Sequence, residues 1–222
     1  MNFLKEHIDL QVAIVLQEKL RGGFDFNKFK ALPSHRARIR YASHTLDALG
    51  CGSSKCAWIL SSGKVLKMST YVEDSSDLLQ NKTEIENFHT LGSGLVPKVF
   101  ENAPDYTWYT AEPVRTFKDK REFKEITGID SDQIRRFGDL IAKIGMELLP
   151  TPRDVWMELN KKWGEHISEW ENLPEKGREL LEKVYELESK GIIDIARWDH
   201  WGWGADGRLL CVDTGIKTNV RH

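Results

Sequence analysis

Residues 46–68 read LDALGCGSSKCAWILSSGKVLKM, and this stretch decides the fold. Leu46 to Leu49 is one short extended run, Cys56-Ala57-Trp58-Ile59-Leu60 a second and Val65-Leu66-Lys67-Met68 a third. Gly50 and Gly52 separate the first two runs, and Ser62-Gly63 separates the second and third, so the pattern predicts an antiparallel meander. A strand follows the glycines, which is not the arrangement of a glycine fingerprint that opens a helix. Glycine carries no β-carbon, so the amides of Gly50-Cys-Gly52-Ser53 can approach an anion closely. A plain hairpin explains two glycines in a turn equally well.

Working outward, residues 76–91 (SDLLQNKTEIENFHTL) have helical spacing and stop at Gly92. Pro97 to Phe100 and Thr107 to Ala111 predict two more strands around a polar turn at Ala103-Pro104-Asp105. Beyond Val114 the pattern is helical. A helix from Ser131 aligns Ile134, Phe137, Leu140, Ile141, Ile144 and Leu148 and is expected to end at Pro150. Asp154 caps a second, carrying Val155, Trp156, Leu159, Trp163, Ile167 and Trp170, so that three tryptophans recur every seven residues along one helix. A third runs from Pro174 to Lys190, and a two-stranded hairpin then spans Trp201 to Asp213. On the other side, residues 3–20 predict an amphipathic helix stopped by Gly22-Gly23, followed by a polar stretch through Pro33. The expected class is α+β: an N-terminal helical extension over 1–43, a five-stranded antiparallel sheet with one helix over 44–115, and a helical region over 116–222. A hinge is expected near 113–120.

Composition sets limits on function. The net charge is -2, so no basic field argues for nucleic acid, although Lys28, Lys30, Arg36, Arg38 and Arg40 cluster. A solvated basic face or an acidic partner would each account for that cluster. The N-terminal segment is charged throughout, which argues against a signal peptide or a membrane span. Cys51, Cys56 and Cys211 are odd in number and lack metal-ligand spacing, which argues against a disulfide framework and against zinc, and predicts a reducing cytoplasm.

Lys67 sits among apolar neighbours on a predicted strand, and an unpaired buried ammonium is costly. Glu84 shares a helix face with Phe88 and Leu91 and is the expected partner, whereas Glu86 points away. A solvated edge-strand lysine is the alternative. Later, Asp194 and Asp199 lie five residues apart in a loop, and Asp213 ends the ensuing hairpin before Thr214-Gly215. One aspartate could steer a hydroxyl proton while others hold Mg2+, a hard cation that takes oxygen ligands. Trp198, Trp201 and Trp203 would stack a base or, more simply, pack a core.

The ordered set resembles the protein-kinase fold: glycine turn, strand lysine, helix glutamate, the linker Thr110-Ala111-Glu112-Pro113-Val114, Asp-x4-Asp, hairpin, Asp-x-Gly. More narrowly, it is similar to the short serine/threonine kinase-like proteins of lytic bacteriophages. The resemblance covers about residues 45–115 and 175–216. It implies a bilobal architecture with a nucleotide site between the lobes, ATP and Mg2+ as cofactors, and a host cytoplasm as location if the chain is phage-encoded. Gly50, Gly52 and Ser53 would cover the phosphates. Lys67 would touch the α- and β-phosphates and pair with Glu84, and Glu112 and Val114 would receive adenine with Thr110 behind. Asp194 would be the catalytic-loop aspartate and Asp213 a metal ligand, with Asp199, or His200 one position on, in place of the metal-binding asparagine. The chain departs from the family at Lys55, which replaces the third loop glycine, and at Ile192-Ile193, which replace His-Arg. Nine residues follow Asp213, so the helical region is expected to be truncated and to lack the activation segment. The implied activities are an ATP-dependent phosphotransferase acting on a protein or small-molecule hydroxyl, or a pseudokinase that binds a host or phage protein.

Overall fold

The computed structural model describes residues 23–52, 54–71, 75–163 and 168–214. The helix expected over 3–20, Ser53, Ile167 and Gly215 lie outside them. The chain divides into two compact units, one chiefly of residues up to Pro113 and the other chiefly of residues from Val114.

In the first unit, helices α1 (Phe26–Ala31) and α2 (His35–Thr45) precede strands β1 (Ala48–Cys51), β2 (Lys55–Ile59) and β3 (Val65–Ser69). Helix α3 (Ser75–Leu91) and strands β4 (Val99–Asn102) and β5 (Trp108–Ala111) follow. The sheet is five-stranded and antiparallel, in the order β1-β2-β3-β5-β4. Alternation along the strands sends Trp58, Leu66, Met68 and Trp108 into a core with Phe29 and Ala42 of the two N-terminal helices and with Leu46, which follows the second. Tyr109 and Ala111 cluster instead with Ile85 of α3. The sheet is therefore covered on both faces.

Helices α1 and α2 occupy the stretch around Pro33 whose composition is polar. Each begins at a side-chain cap: Asp25 accepts from the amides of Asn27 and Lys28, and Ser34 accepts from Ala37. Pro33 falls between them, where no helical hydrogen bond is needed.

The second unit holds β6 (Val114–Thr116), α4 (Lys120–Thr127), α5 (Ser131–Ile144), α6 (Pro152–Trp163), α7 (Glu175–Ser189), β7 (Trp201–Gly204) and β8 (Leu209–Cys211). Its core is built from Phe123, Ile134, Phe137, Val155, Trp156, Leu159, Leu180, Leu181, Val184 and Leu187. The expected hairpin is the centre and edge of a three-stranded sheet, order β6-β7-β8. Gly202 permits this, because a Cβ there would stand 2.5 Å from the carbonyl oxygen of Arg115. Helix α5 ends at Ile144, ahead of Gly145, rather than at Pro150. The tryptophan stripe does not lie on one helix: Trp163 ends α6 and Trp170 opens a separate 3-10 turn. Among the described residues no helix is long and apolar enough to cross a membrane.

Contrary to the sequence reading, the structure contains a disulfide, between Cys51 and Cys56. These residues are direct cross-strand partners in the β1–β2 register, and a glycine turn between them brings the thiols together. Cys211 is free and buried.

Candidate functional site

The glycine turn joins β1 to β2. The amide of Gly52 donates to the carbonyl of Lys55 at 2.8 Å, which closes the turn. Neither Gly50 nor Gly52 has a positive φ. Among the described residues, a Cβ at Gly50 would meet no atom within 4 Å, and at Gly52 only Lys55 O at 3.8 Å. Intrachain packing at these positions therefore does not demand glycine, whereas close approach of a ligand to the backbone would.

Below the turn lies a buried cluster on one sheet face. Register pairs Ala57 with Lys67 and Lys67 with Tyr109, and alternation places Lys55 and Ser69 on that same face. Glu84 of α3 reaches this face. One carboxylate oxygen accepts from Lys55, and the other accepts from Tyr109 Oη and from Lys67 Nζ, the last at 3.5 Å. Burial works to raise the Glu84 pKa, but the charges of Lys55 and Lys67 and the hydrogen bonds of Lys55 and Tyr109 outweigh it and hold the carboxyl down to about 2. The predicted Lys67–Glu84 contact is thus present, and a second lysine joins it. The place of Lys55 at the third loop-glycine position gives no sign of that role. Its position two residues before Ala57, the cross-strand partner of Lys67, is the signal that exposes it.

In the linker, the amide of Glu112 donates to Lys98 O at 2.8 Å, and a Glu112 carboxylate oxygen accepts from the amide of Lys98 at 3.2 Å. Any contact of Glu112 with a base would use another of its groups. Thr110 is buried in β5, and Val114 opens β6.

The second unit gathers the remaining predicted residues. Asp194 has φ of +60°, one of two non-glycine residues in the left-handed region among those described. Aspartate tolerates that region better than most residues, and such conformations concentrate at functional sites. Arg197 lies 3.9 Å from Asp194 and makes a two-pronged contact with Asp199, with Nε 3.2 Å from Oδ1 and Nη2 2.8 Å from Oδ2. Partial burial pushes the Asp199 carboxyl up, but the Arg197 hydrogen bonds, a backbone hydrogen bond and the charges of His200 and Arg197 together more than reverse it, so its pKa lies below the usual value. His200 is nearly buried and directs Nε2 at Asp213 Oδ2, 4.0 Å away.

Among the described residues no three His, Cys, Asp or Glu side chains form a metal-binding group. Mg2+ asks for less, because one or two carboxylates suffice when water and phosphate complete the shell. Asp213 fits that requirement. Asp199 does not fit as placed, since both its oxygens are taken by a guanidinium. His200 is directed at Asp213.

No family model matches the chain, and no curated protein matches it. Solved structures similar at low identity include three aminoglycoside phosphotransferase complexes. The streptomycin–ATP complex of APH(2'')-IIa is 11% identical over 83% of this chain and 71% of its own, with a TM-score of 0.37. The GDP and kanamycin complex of APH(2'')-IIIa is 12% identical over 78% and 67%, with a TM-score of 0.37. The ADP-bound aminoglycoside phosphotransferase APH(2'')-Ib is 12% identical over 83% and 71%, again at 0.37. Likenesses this distant carry no substrate over to this chain.

Proposed function

We propose that the chain is a kinase-like phosphotransferase that binds ATP with Mg2+ and passes the γ-phosphoryl group to a hydroxyl of a protein or small molecule. The observation that carries this reading is the buried Glu84 carboxylate holding Lys67 beneath a glycine turn. A buried ion pair adds little net stability, so its presence here fits a binding role better than a structural one. In this reading Lys67 takes the α- and β-phosphates, the amides around Gly50 and Gly52 cover them, and the linker at Glu112 and Val114 receives adenine. Asp194 accepts the proton of the attacking hydroxyl, and its left-handed backbone sets the aim of the carboxylate. Asp213 would hold Mg2+, which offsets the charge of the phosphates when bound.

Thermal-shift titration with ATP and Mg2+ tests the proposal. A ligand that binds only the folded chain must stabilise it by mass action. The wild type should gain melting temperature with ATP and Mg2+, and Lys67→Ala and Asp213→Ala should gain far less. Phosphate transfer to an acceptor or to the chain itself should disappear in Asp194→Ala. Equal ATP response in wild type and Lys67→Ala would remove the reading.

A further inference from the structure

Lys55 and Lys67 occupy diagonal positions on one face of the β2–β3 ladder, and the residues completing the square, Ala57 and Ser69, are both small. No bulky side chain intervenes, so both ammonium groups reach across the face to Glu84. The Lys55 side chain is at least as buried as that of Lys67, 15% against 20% exposed. Lys55 is also the first residue of β2, and its carbonyl closes the glycine turn. One cation would be enough to neutralise one buried carboxylate. Here two converge on it from neighbouring strands, each directing its ammonium at the same carboxylate.

We infer that Lys55 is a second phosphate-contacting residue, so that the polyphosphate of the nucleotide is gripped by a pair of lysines sharing Glu84 rather than by Lys67 alone. This rests on the nucleotide reading above. Lys55 stands at the base of the turn and contacts the phosphates nearest it, while Lys67 contacts those deeper along the sheet. Glu84 spaces the two ammonium groups, and Tyr109 fixes Glu84. The chain thereby replaces a loop glycine with a charge at the point where the backbone turns into β2.

Calorimetric titration of the full chain with ATP and, separately, with adenosine tests this. The variants are Lys55→Met, Lys67→Met, Lys55→Arg, Glu84→Gln and the double variant Lys55→Met/Glu84→Gln, which avoids leaving a buried carboxylate short of a partner. Lys55→Met should weaken ATP binding by about tenfold or more, with adenosine affinity unchanged and Lys55→Arg close to wild type. If Lys55→Met does not fold, the double variant should bind ATP about tenfold or more weaker than Glu84→Gln alone, with adenosine affinity equal in the two. ATP affinity retained without Lys55 but lost in Lys67→Met would overturn the inference and leave the nucleotide reading standing. Parallel loss of ATP and adenosine binding would make Lys55 a support for the turn, which also overturns it. A wild type that binds neither ligand would remove the nucleotide reading itself.

Discussion

Arg197 holds both carboxylate oxygens of Asp199, at 3.2 and 2.8 Å, in the fork geometry that makes guanidinium–carboxylate contacts strong. A carboxylate engaged in this way is a poor ligand for a strongly hydrated cation. Metal binding should therefore depend on Asp213 and not on Asp199. At fixed ATP, Asp199→Asn should keep the Mg2+ midpoint of thermal stabilisation within about twofold of wild type, whereas Asp213→Ala should abolish the Mg2+ response. Equal loss in the two variants would place Asp199 on the metal.

Gly138 of α5 faces Ala196, and a Cβ at position 138 would stand 2.4 Å from the Cβ of Ala196 and 3.5 Å from Glu188 Oε1. Ala196 belongs to the loop that carries Asp194 and Arg197. Gly138→Ala should displace that loop at a cost of about 1–3 kcal/mol in stability. Misplacing a catalytic group by about 1 Å can cost ~10²-fold in rate. Turnover should fall by about that factor while ATP affinity changes little, because the nucleotide contacts assigned to the first unit are untouched. A parallel loss of both would mean that the substitution unfolds the chain broadly.

The parts of this arrangement legible in the sequence were those encoded over short distances. Lys67 was recognisable because apolar residues flank it, and Glu84 because its spacing to Phe88 and Leu91 fixes its helix face. The strands were legible from runs of Val, Leu, Ile and Trp between glycine turns. Helix α2 was not, because its apolar contribution is Ile39, Tyr41 and Ala42 scattered among Arg and His, and only packing on the sheet reveals them as core residues. Strand β6 is three residues long and has no pattern of its own; it exists because Gly202 allows β7 to approach. The parts played by Lys55, Arg197 and His200 depend on register and loop path, which one-dimensional spacing does not carry.

The disulfide gives a separate prediction. Joining Cys51 to Cys56 closes a loop of a few residues, which chain-entropy arguments value at about 2 kcal/mol. The double variant Cys51→Ser/Cys56→Ser should lose about that much stability in chemical unfolding. A thiol reductant should lower the melting temperature of the wild type to that of the double variant and leave the double variant unmoved. Sensitivity to reductant in the double variant would mean that another thiol is responsible.

Glu188 and Glu84 should respond to pH in opposite directions. Burial, then the charges of Asp139 and Asp194, push the Glu188 carboxyl up to about 7. Its folded pKa exceeds the ordinary value of 4.5, so the stability it contributes is fully present below pH 4.5 and is lost as pH rises through 7. Glu188→Gln imitates the protonated form. It should match wild type at low pH and gain on the order of 1 kcal/mol above about pH 7, allowing for partial solvent screening. Urea unfolding at several pH values measures this, and a difference that stays constant with pH would show Glu188 ionised throughout.

For Glu84 the order reverses, because the folded pKa of about 2 lies below the ordinary 4.5. The stability from this carboxylate is present above pH 4.5 and is lost as pH falls through 2. Glu84→Gln leaves Lys55 and Lys67 without their shared counter-charge and should cost about 3–5 kcal/mol at neutral pH. The same urea series should show that cost unchanged from neutral pH down to 4.5 and shrinking below it. A cost that persisted undiminished toward pH 2 would mean that packing of the glutamate side chain, not its charge, holds α3 against the sheet.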